Sequence, residues 1–197
     1  MTAEAIRPAA TVILTRPTAT GPQVLMGQRG AGAAFMPSKY VFPGGAVDAG
    51  DGWTGPLPLA AACAARLASA PVPAPALVGA ACRELAEETG LAFRPGAAAL
   101  RFVFRAITPP GRGRRFDACF FLADAAGLAG DPDDFSAASD ELSHLHWIGL
   151  AEARSLDLPF ITEVVLAEVT NLMNGGDQPG VPFFDNSGTI PTFRRLI

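Results

Sequence analysis

Three glutamates carry the sharpest chemical signal in this chain. Glu84, Glu87 and Glu88 stand at i, i+3 and i+4 within Arg83-Glu84-Leu85-Ala86-Glu87-Glu88-Thr89-Gly90-Leu91, a spacing that gathers them on one face of a helix. Gly90 reads as the C-terminal cap, so the negative charges crowd the negative end of the helix dipole and repel one another there. Such a face needs a counter-charge. Clustered carboxylate oxygens are hard ligands suited to Mg²⁺ or Mn²⁺, and a Mg²⁺ held by carboxylates usually also holds substrate phosphates.

Upstream lies Phe42-Pro43-Gly44-Gly45. Each stretch alone has an ordinary reading, an acidic surface face for one and a tight turn for the other. Together and in this order they resemble the Nudix box, G-x5-E-x7-R-E-U-x-E-E-x-G-U, with U an aliphatic residue. Arg83 to Leu91 matches the second half without departure. Gly45 supplies the opening glycine, and after five intervening residues Asp51 stands where the family has glutamate. The spacer is stretched into an insertion over 52–82. The resemblance implies an α/β fold, the Nudix-type α/β/α sandwich with a mixed sheet, here carrying a helical insertion within the box. It also implies metal ligation by Glu84, Glu87 and Glu88 with the carbonyl of Gly44, and pairing of Arg83 with a box carboxylate, for which Asp48 and Asp51 compete.

The chemistry expected of that cluster is Mg²⁺- or Mn²⁺-dependent cleavage of a nucleoside diphosphate linked to another moiety. A bound cation neutralises the diphosphate and makes water a usable nucleophile, and in-line attack at phosphorus then depends on positioning and charge stabilisation. Similar enzymes use a box glutamate or a carboxylate from a later loop as base. Glu84 and Glu87 are the box candidates, and Glu141, beside Asp140, is the loop candidate. Arg29, Arg105 and Arg115 lie in or beside predicted strands and are candidates to grip a phosphate. His144 and His146 alternate on one strand face without a third ligand, which favours a structural role. Phe102, Phe104, Phe116, Phe120 and Phe121 read as core, with one ring free to stack on a base.

The elements that must position these groups are legible in outline. Strands are predicted at Thr11–Leu14, Val24–Arg29, Tyr40–Phe42, Leu100–Thr108, Arg115–Leu122 and Leu142–Ile148. A loose terminus is expected over residues 1–9, a turn at Gly21-Pro22, and a turn at Pro43-Gly44-Gly45. Helices are predicted at Leu57–Ser69, Leu77–Thr89 and Phe160–Met173, with a helical turn at Ala151–Leu156. Pro71, Pro73 and Pro75 read as a breaker, and 175–197 as a loop-like tail. The insertion reads as a surface elaboration in preference to a lid or a dimer contact.

At 197 residues and 49% hydrophobic composition, the chain can bury one core, so a single domain over 1–197 is expected. The net charge of −4 and the absence of any basic run beyond two residues argue against a nucleic-acid stripe or a membrane patch. Cys63, Cys82 and Cys119 form no C-x-x-C pair, and no secretory h-region or membrane-length apolar run is present. The expectation is a cytoplasmic protein acting on a small molecule, with homodimerisation implied by resemblance alone.

Within the Nudix superfamily, three features resemble the peroxisomal-type coenzyme A diphosphatases with an interrupted box. They are Phe35-Met36-Pro37 before Val41-Phe42-Pro43-Gly44-Gly45, the long insertion, and Arg114-Arg115-Phe116-Asp117 before Phe120-Phe121-Leu122. That resemblance, from Ala10 to Ala153, implies release of 3′,5′-ADP from coenzyme A. The coenzyme A signature L-L-T-x-R-(S/A)-x3-R-x3-G-x3-F-P-G-G lies in register on Leu25 to Gly45. There Leu25 and Arg29 fit, while Met26, Gly27, Gly30, Ala34 and Ser38 depart. ADP-ribose-type pyrophosphatases and a Nudix-fold protein that binds a nucleotide without hydrolysing it are the alternatives, and retention of all three glutamates favours catalysis over the latter.

Overall fold

The computed structural model describes residues 5–197. A nine-stranded mixed sheet forms the middle layer. Its main path runs β3-β2-β1-β6-β5-β8-β9, with β4 added beside β1 and β7 beside β2. The strands are β1 Ile6–Arg16, β2 Gln23–Arg29, β3 Tyr40–Val41, β4 Gly44–Ala46, β5 Arg101–Ile107, β6 Arg115–Asp124, β7 Leu142–Gly149, β8 Val181–Asp185 and β9 Thr192–Leu196. The central pair is parallel, β1 on β6, in register from Ile6 opposite Arg115 to Thr15 opposite Asp124. Strands this central are covered on both faces.

Helices α1 Ala61–Arg66 and α2 Ala74–Thr89 lie on one face, and α3 Leu150–Ala153 and α4 Phe160–Met173 on the other. Beneath α2 the core gathers Val12, Leu14, Leu77, Leu85, Phe102 and Phe121. Beneath α4 it gathers Ile13, Phe104, Phe120, Val165, Leu166 and Val169. The sheet strands feed both clusters by alternation, each fully buried side chain stabilising the fold by ~1.5–3 kcal/mol. The α/β/α sandwich is therefore present. Among the described residues no single helix is long and apolar enough to cross a membrane.

Several expectations need correction. Residues from Ile6 are strand, not loose terminus, because the β6 ladder holds them; residues 1–4 lie outside the described range. Gly44 and Gly45 form a short strand antiparallel to β1, not a simple turn. The insertion helix begins at Ala61, since the backbone N–H of Leu100 donates to Pro58 and fixes the preceding segment as extended chain. Most consequential, 175–197 is not a loop-like tail: β8 and β9 extend the sheet beyond β5.

The box helix is longer than the sequence suggested. Pro75 does not break it but sits in its first turn, where a missing N–H costs nothing, so 74–82 belongs to the helix body. Gly90 closes it in the left-handed conformation (φ 76°), its N–H donating to Ala86. Gly79 lets the insertion approach closely, because a Cβ there would sit 2.5 Å from the backbone nitrogen of Gly52. The insertion is clamped by its own core residues Cys63 and Leu67, and no residue from Gly52 to Cys82 lines the main cleft. That argues against a lid over this cleft.

Candidate active site

A cleft of about 1010 Å³ opens on the α4 face of the sheet. Its acidic wall comes from the last turns of α2 and the start of β7, with Glu84, Glu87 and Glu141 facing it beside Gly44 and Gly45. The glycines of β4 make this junction. A Cβ on Gly45 would sit 2.3 Å from Glu84 Oε1, and one on Gly44 would sit 2.6 Å from the Ala10 carbonyl oxygen. Only bare backbone fits between β1 and the carboxylates.

Arg83 organises the acidic wall. Its Nε and Nη2 donate to Asp51 Oδ1 and Oδ2 at 2.8 and 3.0 Å, while Nη1 donates to Glu84 Oε1 and Glu87 Oε2, both at 2.9 Å. Its Nη2 also donates to the carbonyl of Ala46. The competition between Asp48 and Asp51 is thereby decided. Asp51 accepts the bidentate fork with its side chain 6% exposed, whereas Asp48 is 64% exposed and 3.8 Å away. The shorter aspartate reaches the arginine despite its stem, and the pairing holds the Asp51 carboxyl below its ordinary range.

Glu88 takes the buried place. It is 2% exposed and accepts from the Gly44 N–H at 2.7 Å through Oε2. Burial pushes its pKa up to about 8, opposed by the Gly44 N–H and reinforced by the charge of Glu84 and then Glu141. Glu84 is raised too, by burial first, with Arg83 opposing and Glu87 and Glu141 adding. These are carboxylates short of positive charge. Among the described residues no three such side chains stand at cation-binding spacing, and the Arg83 guanidinium bonds both Glu84 and Glu87. Their other oxygens, Glu84 Oε2 and Glu87 Oε1, accept no protein hydrogen bond among the described residues. The donor set therefore fits a hard divalent cation, with Arg83 setting the carboxylate angles.

The expected phosphate grips divide. Arg29 lines the cleft, and its buried Nε has no hydrogen-bond partner among the described residues, so the guanidinium is not committed to a protein acceptor through that atom. Arg105 and Arg115 are not in the cleft, which corrects both assignments. Arg105 lies on the opposite side of the sheet, forked onto Asp117 at 2.8 and 2.7 Å, with Nη1 donating to the Ser69 carbonyl and its ring neighbour Phe183 at 4.4 Å. Burial works against its charge, yet Asp117 holds its pKa above the ordinary value. Arg115 is spent on the carbonyls of Thr108 and Asn186. In their place the cleft offers Arg7, Lys39, Arg112 and Arg114, which the sequence reading did not single out as site residues. For Arg112 and Arg114 the signal was their place in the Pro-Gly turn between β5 and β6. Lys39 is ion-paired to Asp157.

His144 and His146 also lie outside the cleft, bonded to Gln28 and to the His144 carbonyl, which agrees with a structural role. Of the phenylalanines, Phe102, Phe104 and Phe121 are core. Phe116 and Phe120 face the cleft, and Phe116 meets Phe35 edge-on at 5.1 Å.

Solved structures place this architecture. The chain superposes on a Nudix hydrolase from Alicyclobacillus acidocaldarius with a TM-score of 0.60 and 26% identity, over 83% of this chain and 90% of that one. The fold is the Nudix fold. An Ap4A hydrolase binary complex from C. elegans matches with a TM-score of 0.56 and 18% identity, over 86% and 99%. The Nudix domain of Shewanella oneidensis NrtR, complexed with ADP ribose, matches with a TM-score of 0.56 and 13% identity, over 86% and 90%. No protein-family model and no curated protein matches the sequence. In this chain Glu84 and Glu87 of α2 line the cleft that Arg29 shares.

Proposed function

We propose that this chain is a single-domain, divalent-cation-dependent Nudix hydrolase that cleaves a nucleoside diphosphate linked to a second moiety, coenzyme A or its thioesters being the leading substrate class. The observation that carries this reading is one cleft lined by Glu84, Glu87, Glu141, Gly44 and Arg29, with Glu88 buried directly behind Gly44 and bonded to its N–H. Glu84, Glu87, Glu88 and the Gly44 carbonyl would hold Mg²⁺ or Mn²⁺, which would supply charge neutralisation of the diphosphate and a more acidic water. Arg29 takes the phosphate oxygens and holds phosphorus in line with the attacking water. Glu141, or a box glutamate, accepts the water proton as the bridging P–O bond breaks. Arg83 keeps Glu84 and Glu87 aimed through its anchor on Asp51.

The second reading, a Nudix-fold protein that binds a nucleotide without cleaving it, draws on Arg83 already standing between Glu84 and Glu87. An assay with Mg²⁺ or Mn²⁺ against coenzyme A, acyl-CoA, ADP-ribose, NADH and nucleoside triphosphates separates them, with products identified by mass and Glu88→Gln as control. Metal-dependent release of 3′,5′-ADP from coenzyme A, lost in the variant, supports the proposal. Cleavage of another diphosphate retains the hydrolase and discards the coenzyme A assignment. Binding without turnover across the panel replaces it with the second reading.

A further inference from the structure

The floor of the cleft is made unusually low by one line of residues. Ladder pairing sets Ala46 of β4 opposite Ala9 of β1, Ala9 opposite Ala118 of β6, and Ala118 opposite Ala106 of β5. Residues directly opposite in a ladder share a face, and all four alanines line the cleft. The next strand continues the row with Phe184, paired to Ala106. A methyl-only strip thus crosses four strands and ends at an aromatic side chain. With ~4.8 Å between strands, its length from β4 to β8 is ~19 Å.

The flanks of the strip are tall where its floor is low. Two residues to either side of Ala118 on β6 stand Phe116 and Phe120, both facing the cleft. Their Cα positions are ~13 Å apart by strand rise, with the short Ala118 side chain between them. One end of the strip meets the acidic wall, since the Ala46 carbonyl accepts from Arg83. At the other end Phe184 packs on Phe160 at 6.4 Å, and Phe160 is 68% exposed. The trough therefore runs from the acidic wall to an exposed aromatic side chain.

We propose that the row Ala46, Ala9, Ala118 and Ala106 is a trough that seats a slender, acyclic chain attached to the diphosphate, and that these alanines select such substrates over those whose second moiety is a ring system. This rests on the diphosphate-hydrolase reading above. The phosphates sit at the Ala46 end, where Arg29 and the carboxylates are, and the chain extends over Ala118 and Ala106 toward Phe184. Apolar contact along the strip strengthens binding by about three- to fourfold per methylene seated. A leucine on the floor fills the space that the chain needs.

The test uses the whole chain and two substrate classes, the P2-hexyl and P2-decyl esters of ADP, whose unbranched chains fit entirely within the strip, against ADP-ribose and diadenosine tetraphosphate. Turnover is measured with Mg²⁺, and dissociation constants by calorimetry in EDTA. Ala118→Leu and Ala106→Leu are expected to lower kcat/KM for the chain-bearing substrates at least about tenfold, to abolish the gain in affinity from hexyl to decyl, and to leave ADP-ribose within about twofold. Equal losses for both classes, or a loss confined to the ring-bearing ones, overturn the trough. If neither leucine variant melts cooperatively, Ala118→Gly decides. By widening the floor it should raise turnover of ring-bearing relative to chain-bearing substrates, and an unchanged ratio overturns the proposal. If the native protein cleaves nothing, the hydrolase reading fails, and chain-length-dependent binding in EDTA still upholds or overturns the trough by itself.

Discussion

The molecule builds the same unit twice, an arginine forked onto an aspartate, and uses it in opposite ways. Arg105 and Asp117 close on each other inside the protein, and the remaining donor of Arg105 is absorbed by Ser69. Arg83 and Asp51 form an equally good fork, but Nη1 is left to reach Glu84 and Glu87 at the cleft. The first pair has charge parity and no opening; it staples the insertion to β5 and β6. The second sits in a surplus of negative charge that one guanidinium cannot neutralise. Surplus and access, not the pair itself, make the difference between a brace and a site.

The comparison can be broken most sharply at the buried fork. Asp117→Ala strands the Arg105 guanidinium and is expected to cost ~3–5 kcal/mol in chemical denaturation, while the folded fraction keeps its metal affinity. A variant that lost metal affinity without losing stability would show that the two pairs are not separate in role. At the cleft, Glu84→Gln should do the reverse, lowering metal-dependent turnover by ~10²–10³ with the melting temperature preserved or raised. Asp51→Asn weakens the anchor of Arg83 and should lower metal affinity about 10- to 100-fold. Asp51→Glu, which keeps the carboxylate, should recover most of it; failure to recover would mean that stem length matters more than charge.

A pH series sharpens the same contrast. In metal-free protein the Glu88 pKa lies at about 8, above its ordinary 4.5. The folded state then binds a proton that the unfolded state releases, so stability falls as pH rises between those values. Saturating Mg²⁺ should flatten that slope, and Glu88→Gln should remove it; an identical slope in the variant would assign the effect elsewhere. The smallest effect belongs to the brace side. Burial pushes the Cys119 thiol up to about 12, so it should resist thiol reagents in the native protein and react at the rate of global unfolding. Rapid labelling would reveal local opening around Arg105.

How far these two regions could be told apart from sequence depended on periodicity. The box helix was legible because Glu84, Glu87, Glu88 and Gly90 combine a helical spacing with a stop. Helix α4 was legible end to end, because Pro159 and Asn174 bracket its apolar pattern. Arg105 was misplaced because a register shift between Phe102 and Phe104 moves it to the other face from the one simple alternation gives. Arg115 was misplaced because its acceptor is Asn186, next to a strand that the sequence did not show. That strand, β8, contains Pro182, and its partner β9 is almost wholly exposed, so neither presents an alternating apolar pattern. The alanine row was invisible for a different reason: its members come from four strands and align only through register.

One further property follows from how the interruption of the box is seated. Its backbone at Gly52 rests directly on Gly79 of the helix, while a few residues on Gly55 has nothing within 4 Å of where a side chain would stand. The segment is fastened at its root and free at its crest, on the side of the molecule away from the cleft. That makes the crest a natural splice point, where a fluorophore, an affinity tag or an entire passenger domain can be grafted between box halves without the carboxylates registering the load.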